Sequence, residues 1–213
     1  MTRLLILTRH GQSEFNARNL FTGWADPPLT AHGVEEAVDV AARLGSLGFR
    51  IDAAFCSGLV RSRASAEVIL QRLAVDAPLV ENPALNERDY GELTGLNKAE
   101  AAERWGAGQV RRWRRGYLDR PPGGESLRDT IARVLPFYVQ QILPATMRDQ
   151  AVLVVGHGNS LRALIYALEN HTPESIAATE LATGEIRLYE LAADTTVVSQ
   201  RAMPNRNGAP AGG

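Results

Sequence analysis

Two histidines in this chain are each followed by glycine at the end of a short apolar run. Leu4-Leu5-Ile6-Leu7-Thr8 delivers Arg9-His10-Gly11, and Ala151-Val152-Leu153-Val154-Val155 delivers Gly156-His157-Gly158-Asn159-Ser160. An imidazole serves as nucleophile or proton carrier near neutral pH, so two of them at strand tips suggest one shared pocket. Arg61 falls in the first turn of a predicted helix, where a cation opposes the helix dipole and calls for a compensating anion. Arg114 and Arg115 belong to the run Arg111-Arg112-Trp113-Arg114-Arg115, an anion-recognition candidate. Asn16 and Glu87 lie in polar segments, and Glu87 is the one acid in the set. Lys98 stands apart, because Lys+Arg is 23 and only this residue is lysine. Ammonium and guanidinium are not interchangeable where geometry matters, which makes Lys98 a functional candidate.

One acid among many cations around two imidazoles narrows the chemistry. A metal site would favour His, Asp and Glu without surrounding cations. A Ser-His-Asp hydrolase needs a G-x-S-x-G elbow, which Gly156-His157-Gly158-Asn159-Ser160 lacks. P-loop and dinucleotide glycine fingerprints are absent as well. Phosphoryl transfer fits: arginine forks match the equatorial oxygens, a neutral imidazole can become a phosphohistidine, and Glu87 can protonate the leaving oxygen and deprotonate the incoming one.

The elements that must position these groups alternate. Apolar runs at 4–8, 51–57 and 151–155 predict strands buried on both faces, with a short strand at 79–81. Helices are predicted after Thr30, with Gly45 and Gly48 ending the first, from Ser57-Gly58 to about Leu73, over Lys98–Trp105, over Leu127–Leu135 with Pro136 kinking or ending it, and over Asn159–Glu169. Alternating residues at 185–191 and a β-branched run at 195–199 predict edge strands or a hairpin. Residues 85–96 read as a polar loop. The expected fold class is α/β, a three-layer, mostly parallel central sheet with helices on both faces. One domain over residues 1–202 and a flexible tail over 203–213 complete the expectation. Sites in such sheets lie beyond the carboxyl ends of the strands.

The formal net charge of -1 and a hydrophobic content of 45% give no global basic surface for nucleic acid or an anionic membrane. No apolar run approaches the length of a membrane span, and the N-terminal run is too short for a signal peptide core. A cytoplasmic location is expected. Cys56 is the only cysteine and reads as a small buried hydrophobe. His32 and His171 read as solvated.

Arg9-His10-Gly11 resembles the signature of the histidine phosphatase superfamily. The wider set resembles its cofactor-dependent phosphoglycerate mutase branch: Arg9 through Asn16, Thr22-Gly23-Trp24, Leu29-Thr30, Leu59 with Arg61, Leu85 through Gly91, Leu96 through Glu100, Trp113-Arg114-Arg115, and Gly156 through Arg162. The resemblance implies the mutase-like fold and 2,3-bisphosphoglycerate as primer, without a metal. It implies that His10 is the phosphorylated nucleophile and Glu87 the proton donor and acceptor. Arg9, Arg61 and His157, aided by Asn16, Gly158 and Asn159, would hold the transferring phosphoryl group. Thr22, Gly23, Tyr90, Lys98, Arg114 and Arg115 would bind the carboxylate and second phosphate of a phosphoglycerate. The implied partners are small phosphoglycerates and, as assembly, a homodimer. Departures are a short connection between Arg115 and Glu125, Val60 where a basic residue is frequent, and the polar Glu185-Ile186-Arg187. A phosphatase of the same superfamily and a non-catalytic phospho-ligand binder are the alternatives. A second anion subsite at Lys98, Arg114 and Arg115 speaks for a mutase, and retention of His10, Glu87 and His157 speaks against a mere binder.

Overall fold

The computed structural model describes residues 3–205. In chain order the strands are β1 Leu4–Arg9, β2 Ala53–Cys56, β3 Leu79–Glu81, β4 Ala151–Gly156, β5 Ile186–Leu191 and β6 Val197–Met203. The helices are α1 Glu14–Ala17, α2 Ala31–Ser46, α3 Val60–Leu73, α4 Lys98–Trp105, α5 Ala107–Arg115, α6 Leu127–Phe137, α7 Leu143–Thr146 and α8 Gly158–Leu168. They surround one six-stranded sheet of order β3-β2-β4-β1-β5-β6. β3, β2, β4 and β1 run parallel, β5 is antiparallel to β1, and β6 is antiparallel to β5 at the edge.

Both faces of the sheet are covered, which is why the central strands are apolar over Leu4–Leu7 and Ala151–Val155. On β1, Leu4 and Ile6 pack with Val40, Leu44 and Ile69 of α2 and α3. Leu5 and Leu7 pack on the other face with Val134, Leu161 and Leu164 of α6 and α8. A smaller cluster of Phe21, Leu93, Ala101, Val110 and Trp113 seats the α4–α5 pair against the loops. Cys56 is fully buried, and burial pushes its thiol up to about 12.

Local differences from expectation have plain causes. Gly45 lies inside the last turn of α2, and the chain turns at Gly48, where φ is +73°, a conformation glycine adopts without a Cβ penalty. Pro136 stays within α6, and a π turn over Tyr138–Ile142 follows it, a common way to absorb a missing backbone donor. His171 folds back on Ser175 and Glu169 instead of standing in solvent. The tail expected from residue 203 begins as ordered chain. Met203 ends β6, Arg43 bonds the carbonyls of Met203 and Pro204, and Asn205 bonds Glu36 and Thr183. Residues 206–213 of that expectation lie outside the described residues.

Candidate active site

The carboxyl ends of β1, β2 and β4 deliver His10, Ser57 and His157 to one rim. The register pairs Arg9 with Gly156, so the residues that follow them, His10 and His157, are neighbours. Their ring centroids lie 4.8 Å apart with planes at 62°. Gly11 is required by a close backbone approach: a Cβ there would sit 2.0 Å from the Gly33 carbonyl oxygen of α2, and one on Gly33 would sit 2.1 Å from that of Gln12. The Gly11 amide donates to Ser65 of α3 at 3.0 Å. The turn carrying His10 is thus fixed from two sides.

His10 is buried, and its Nδ1 stands 2.6 Å from the Gly11 carbonyl oxygen. A carbonyl only accepts, so Nδ1 carries the proton and Nε2 keeps its lone pair. Burial first, then the positive charges of Arg61 and Arg9, hold His10 well below its ordinary pKa and therefore neutral. His157 Nε2 is 2.7 Å from Ser57 Oγ. That hydroxyl also accepts the Leu59 amide. His157 Nδ1 is buried with no side-chain hydrogen-bond partner among the described residues. Burial and Arg61 also hold the His157 pKa well below its ordinary value.

Arg9 and Arg61 are fixed chiefly by backbone carbonyls, which preserves their charge for a ligand. Arg9 donates to Leu181 O at 2.7 Å. Arg61 donates to Ala25 O at 2.9 Å and Gly23 O at 3.0 Å, with Asp26 3.9 Å away. The compensation expected at this helix start therefore comes partly from the 22–26 loop itself. Burial lowers the Arg9 pKa and brings that of Arg61 down to about 10. Arg162, buried on α8, joins Asn159 Oδ1 at 2.9 Å to Ile176 O at 2.7 Å.

Glu87 sits in the 85–90 segment, whose backbone is gripped by Arg133: the Ala84, Asn86 and Glu87 carbonyls all accept from its guanidinium. Trp24 donates to the Glu87 carbonyl at 2.6 Å. One carboxylate oxygen of Glu87 accepts the Arg88 and Asn159 amides, at 2.7 and 3.1 Å. Asn16 caps α1 jointly with Ser13, which occupies its side-chain carbonyl and leaves its NH2 to bind an acceptor. Lys98 opens α4 behind the cap of Asn97. Burial first, then Arg114, lowers the Lys98 pKa to about 8. Arg114 is lowered in the same direction by burial.

One cleft is lined by Arg9, His10, Asn16, Thr22, Gly23, Arg61, Glu87, Tyr90, Lys98, Arg114, Arg115, Gly158 and Asn159. Every residue proposed from the sequence faces it except His157, which is fully buried behind His10. Sequence reasoning missed Ser57, Ser65, Arg133 and Arg162. Arg162 lay within the quoted Gly156–Arg162 stretch, a signal that it shares the task of its neighbours. The others act through partners distant in sequence. Chemically, the arrangement offers a neutral nucleophilic nitrogen, the Glu87 carboxylate held by backbone amides, a second carboxylate at Glu180, and cations in two groups: Arg9 and Arg61 beside His10, and Lys98, Arg114 and Arg115 from α4 and α5.

Residues 5–203 match the model of the histidine phosphatase superfamily (branch 1). A Bradyrhizobium sp. (strain ORS 278) protein named 2,3-bisphosphoglycerate-dependent phosphoglycerate mutase is 56% identical over 93% of this chain and 96% of its own. A protein of the same name from Methylobacterium sp. (strain 4-46) is 53% identical over 95% and 98%. Among solved structures, a mycobacterial glucosyl-3-phosphoglycerate phosphatase superposes with a TM-score of 0.81 at 25% identity, over 94% of this chain and 97% of that one. With its paired histidines on adjacent strand tips and this identity along nearly its whole length, the chain belongs to the histidine phosphatase superfamily and, within it, to the 2,3-bisphosphoglycerate-dependent phosphoglycerate mutases.

Proposed function

We propose that this enzyme interconverts 3-phosphoglycerate and 2-phosphoglycerate through a phosphohistidine at His10, primed by 2,3-bisphosphoglycerate. The observation that carries the reading is the pairing of a neutral His10, its Nε2 free, with two separate groups of cations in one cleft. A phosphatase needs one anion subsite, whereas a mutase must retain the other phosphate while the glycerate changes orientation.

His10 Nε2 forms a bond to phosphorus as the bond from phosphorus to the substrate oxygen breaks. Glu87 gives its proton to that oxygen; in the second half, an acceptor hydroxyl gives its proton to Glu87 as its oxygen bonds to phosphorus and the His10 nitrogen–phosphorus bond breaks. Arg9, Arg61 and His157 stabilise the charge on the transferring group, with Asn16, Gly158 and Asn159 beside them. Thr22, Gly23, Tyr90, Lys98, Arg114 and Arg115 hold the carboxylate and the retained phosphate. The donor set fits a bisphosphorylated primer: cations line the cleft, and the buried Arg9 Nε has no hydrogen-bond partner among the described residues. The same cations disfavour a metal ion. Among the described residues, no helix is long and apolar enough to cross a membrane. The activity belongs in the cytoplasm with its substrates, and a homodimer is the expected assembly, read by light scattering.

Purified enzyme incubated with 3-phosphoglycerate, with and without 2,3-bisphosphoglycerate, tests the reading. The expected result is 2-phosphoglycerate formation stimulated by the bisphosphate, and an acid-labile phosphoprotein that His10→Ala abolishes. Release of inorganic phosphate without 2-phosphoglycerate would overturn it.

A further inference from the structure

Two carboxylates line the cleft among the described residues, Glu87 and Glu180. Glu87 is held by backbone amides. Glu180 instead forms an ion pair with Arg115, which lies in the cation group of α4 and α5. Glu180 sits on the strap between α8 and β5. The strap is fastened without its side chain: Arg9 grips the Leu181 carbonyl and Arg162 the Ile176 carbonyl. The Glu180 side chain is 43% exposed, so part of it already faces solvent. It also borders a neighbouring surface cleft lined by Ala99, Ala102 and Val110, which gives the displaced carboxylate room to move. Lys98, Arg114 and Arg162 have their charged forms disfavoured, with burial the largest cause and Arg115 among the rest. Cations crowded in this way favour an anion among them.

Resting on the mutase reading, we infer that Glu180 is the site's own counter-anion, holding Arg115 until an anionic group of the substrate displaces it. Every ligand that uses Arg115 must then compete with a tethered carboxylate. A small inorganic anion, which offers few compensating contacts, is disfavoured more than a phosphoglycerate that also engages the cations at His10. Glu180 thereby acts as a specificity-determining residue.

Equilibrium titration with inorganic sulfate, which needs no turnover, tests this independently of the mutase reaction. Glu180→Gln is expected to bind sulfate about two- to fivefold more tightly, the range for a partly exposed ion pair, with a thermal midpoint close to that of the parent. The KM for 3-phosphoglycerate should fall with it. In an Arg115→Ala background the same substitution should change sulfate affinity little, since the competing pair is gone. Unchanged or weaker sulfate binding in Glu180→Gln would overturn the inference, as would an equal gain without Arg115. Tighter sulfate binding in a protein that proves to lack mutase activity would leave the counter-anion role standing and refute only the reading on which the substrate assignment rests.

Discussion

His10 and His157 meet edge to face at 4.8 Å, yet each ring is held by a different kind of partner. The Gly11 carbonyl fixes Nδ1–H on His10 and leaves its Nε2 lone pair for phosphorus, while the Ser57 hydroxyl holds His157 through its Nε2.

Ser57→Ala removes the hydroxyl that holds the His157 ring at Nε2. A lost hydrogen bond next to developing charge is worth about 1.5–3 kcal/mol, or roughly 10–100-fold in rate. We expect that loss in kcat, with KM nearly unchanged. The His157 ring nitrogens should shift in a ¹⁵N spectrum. A normal kcat with an unaltered spectrum would show the hydroxyl to be idle.

Glu87→Gln keeps the backbone carbonyl that Trp24 and Arg133 hold, so the loop should stay in place. The proton transfer is lost, and kcat should drop by about 10²–10⁴. Phosphorylation of His10 by a donor with a good leaving group should survive. A defect confined to KM would place Glu87 in binding alone.

Lys98 titrates near pH 8 in the free enzyme, because burial and then Arg114 depress it. Its charged form binds anions, so affinity for phosphoglycerate should fall as pH rises through that value. The KM profile should therefore climb on the alkaline side, and Lys98→Met should raise KM and flatten the climb. A profile identical in both proteins would remove Lys98 from the subsite.

Both site histidines have pKa values held well below the ordinary range, chiefly by burial. Below about pH 6.5 the unfolded chain takes up their protons and the folded chain does not. Stability should then fall with falling pH, by up to about 1.4 kcal/mol per pH unit for each histidine, and be flat above neutrality. Urea unfolding between about pH 7.5 and 5 should show this slope, and His10→Gln should lessen it. An equal slope in the variant would assign the acid sensitivity to other groups.

Gly11→Ala and Gly33→Ala should each be strongly destabilising, since each new methyl meets backbone rather than a movable side chain. A cost of about 2–4 kcal/mol is expected from forced overpacking, read as a shift of the denaturation midpoint. Ala at Gly48 is the control for backbone strain without crowding, because nothing lies within 4 Å of a Cβ there.

Much of this was legible in the chain because burial on two faces leaves an unmistakable mark. The apolar runs at 4–8 and 151–155 could only be central strands, and their tips carried the histidines. The cation inventory pointed to a phosphate site before any geometry. Ser57 was not legible, because its partner depends on β4 lying beside β2, and local pattern carries no strand order. Arg133 was hidden for the same reason: it acts on carbonyls 46 to 49 residues away. The depth of His157 behind His10 also follows from strand register, not from composition. Asn205 lay in a stretch whose composition reads as loose. Its anchoring depends on Glu36, a buried carboxylate that also takes the Gln12 amide and the Thr183 hydroxyl.

The insertion of β4 between β1 and β2 has a consequence for synthesis. A nascent chain that has not yet reached Ala151 holds β1 and β2 as ribbons with bare inner edges, and unpaired apolar edges invite association with other chains. β1 finds its parallel neighbour only once Ala151–Gly156 has been made, a long loop closure that slows folding. The sheet therefore cannot be cut ahead of β4 into two self-sufficient pieces, and the two histidines pair only when its central strand arrives.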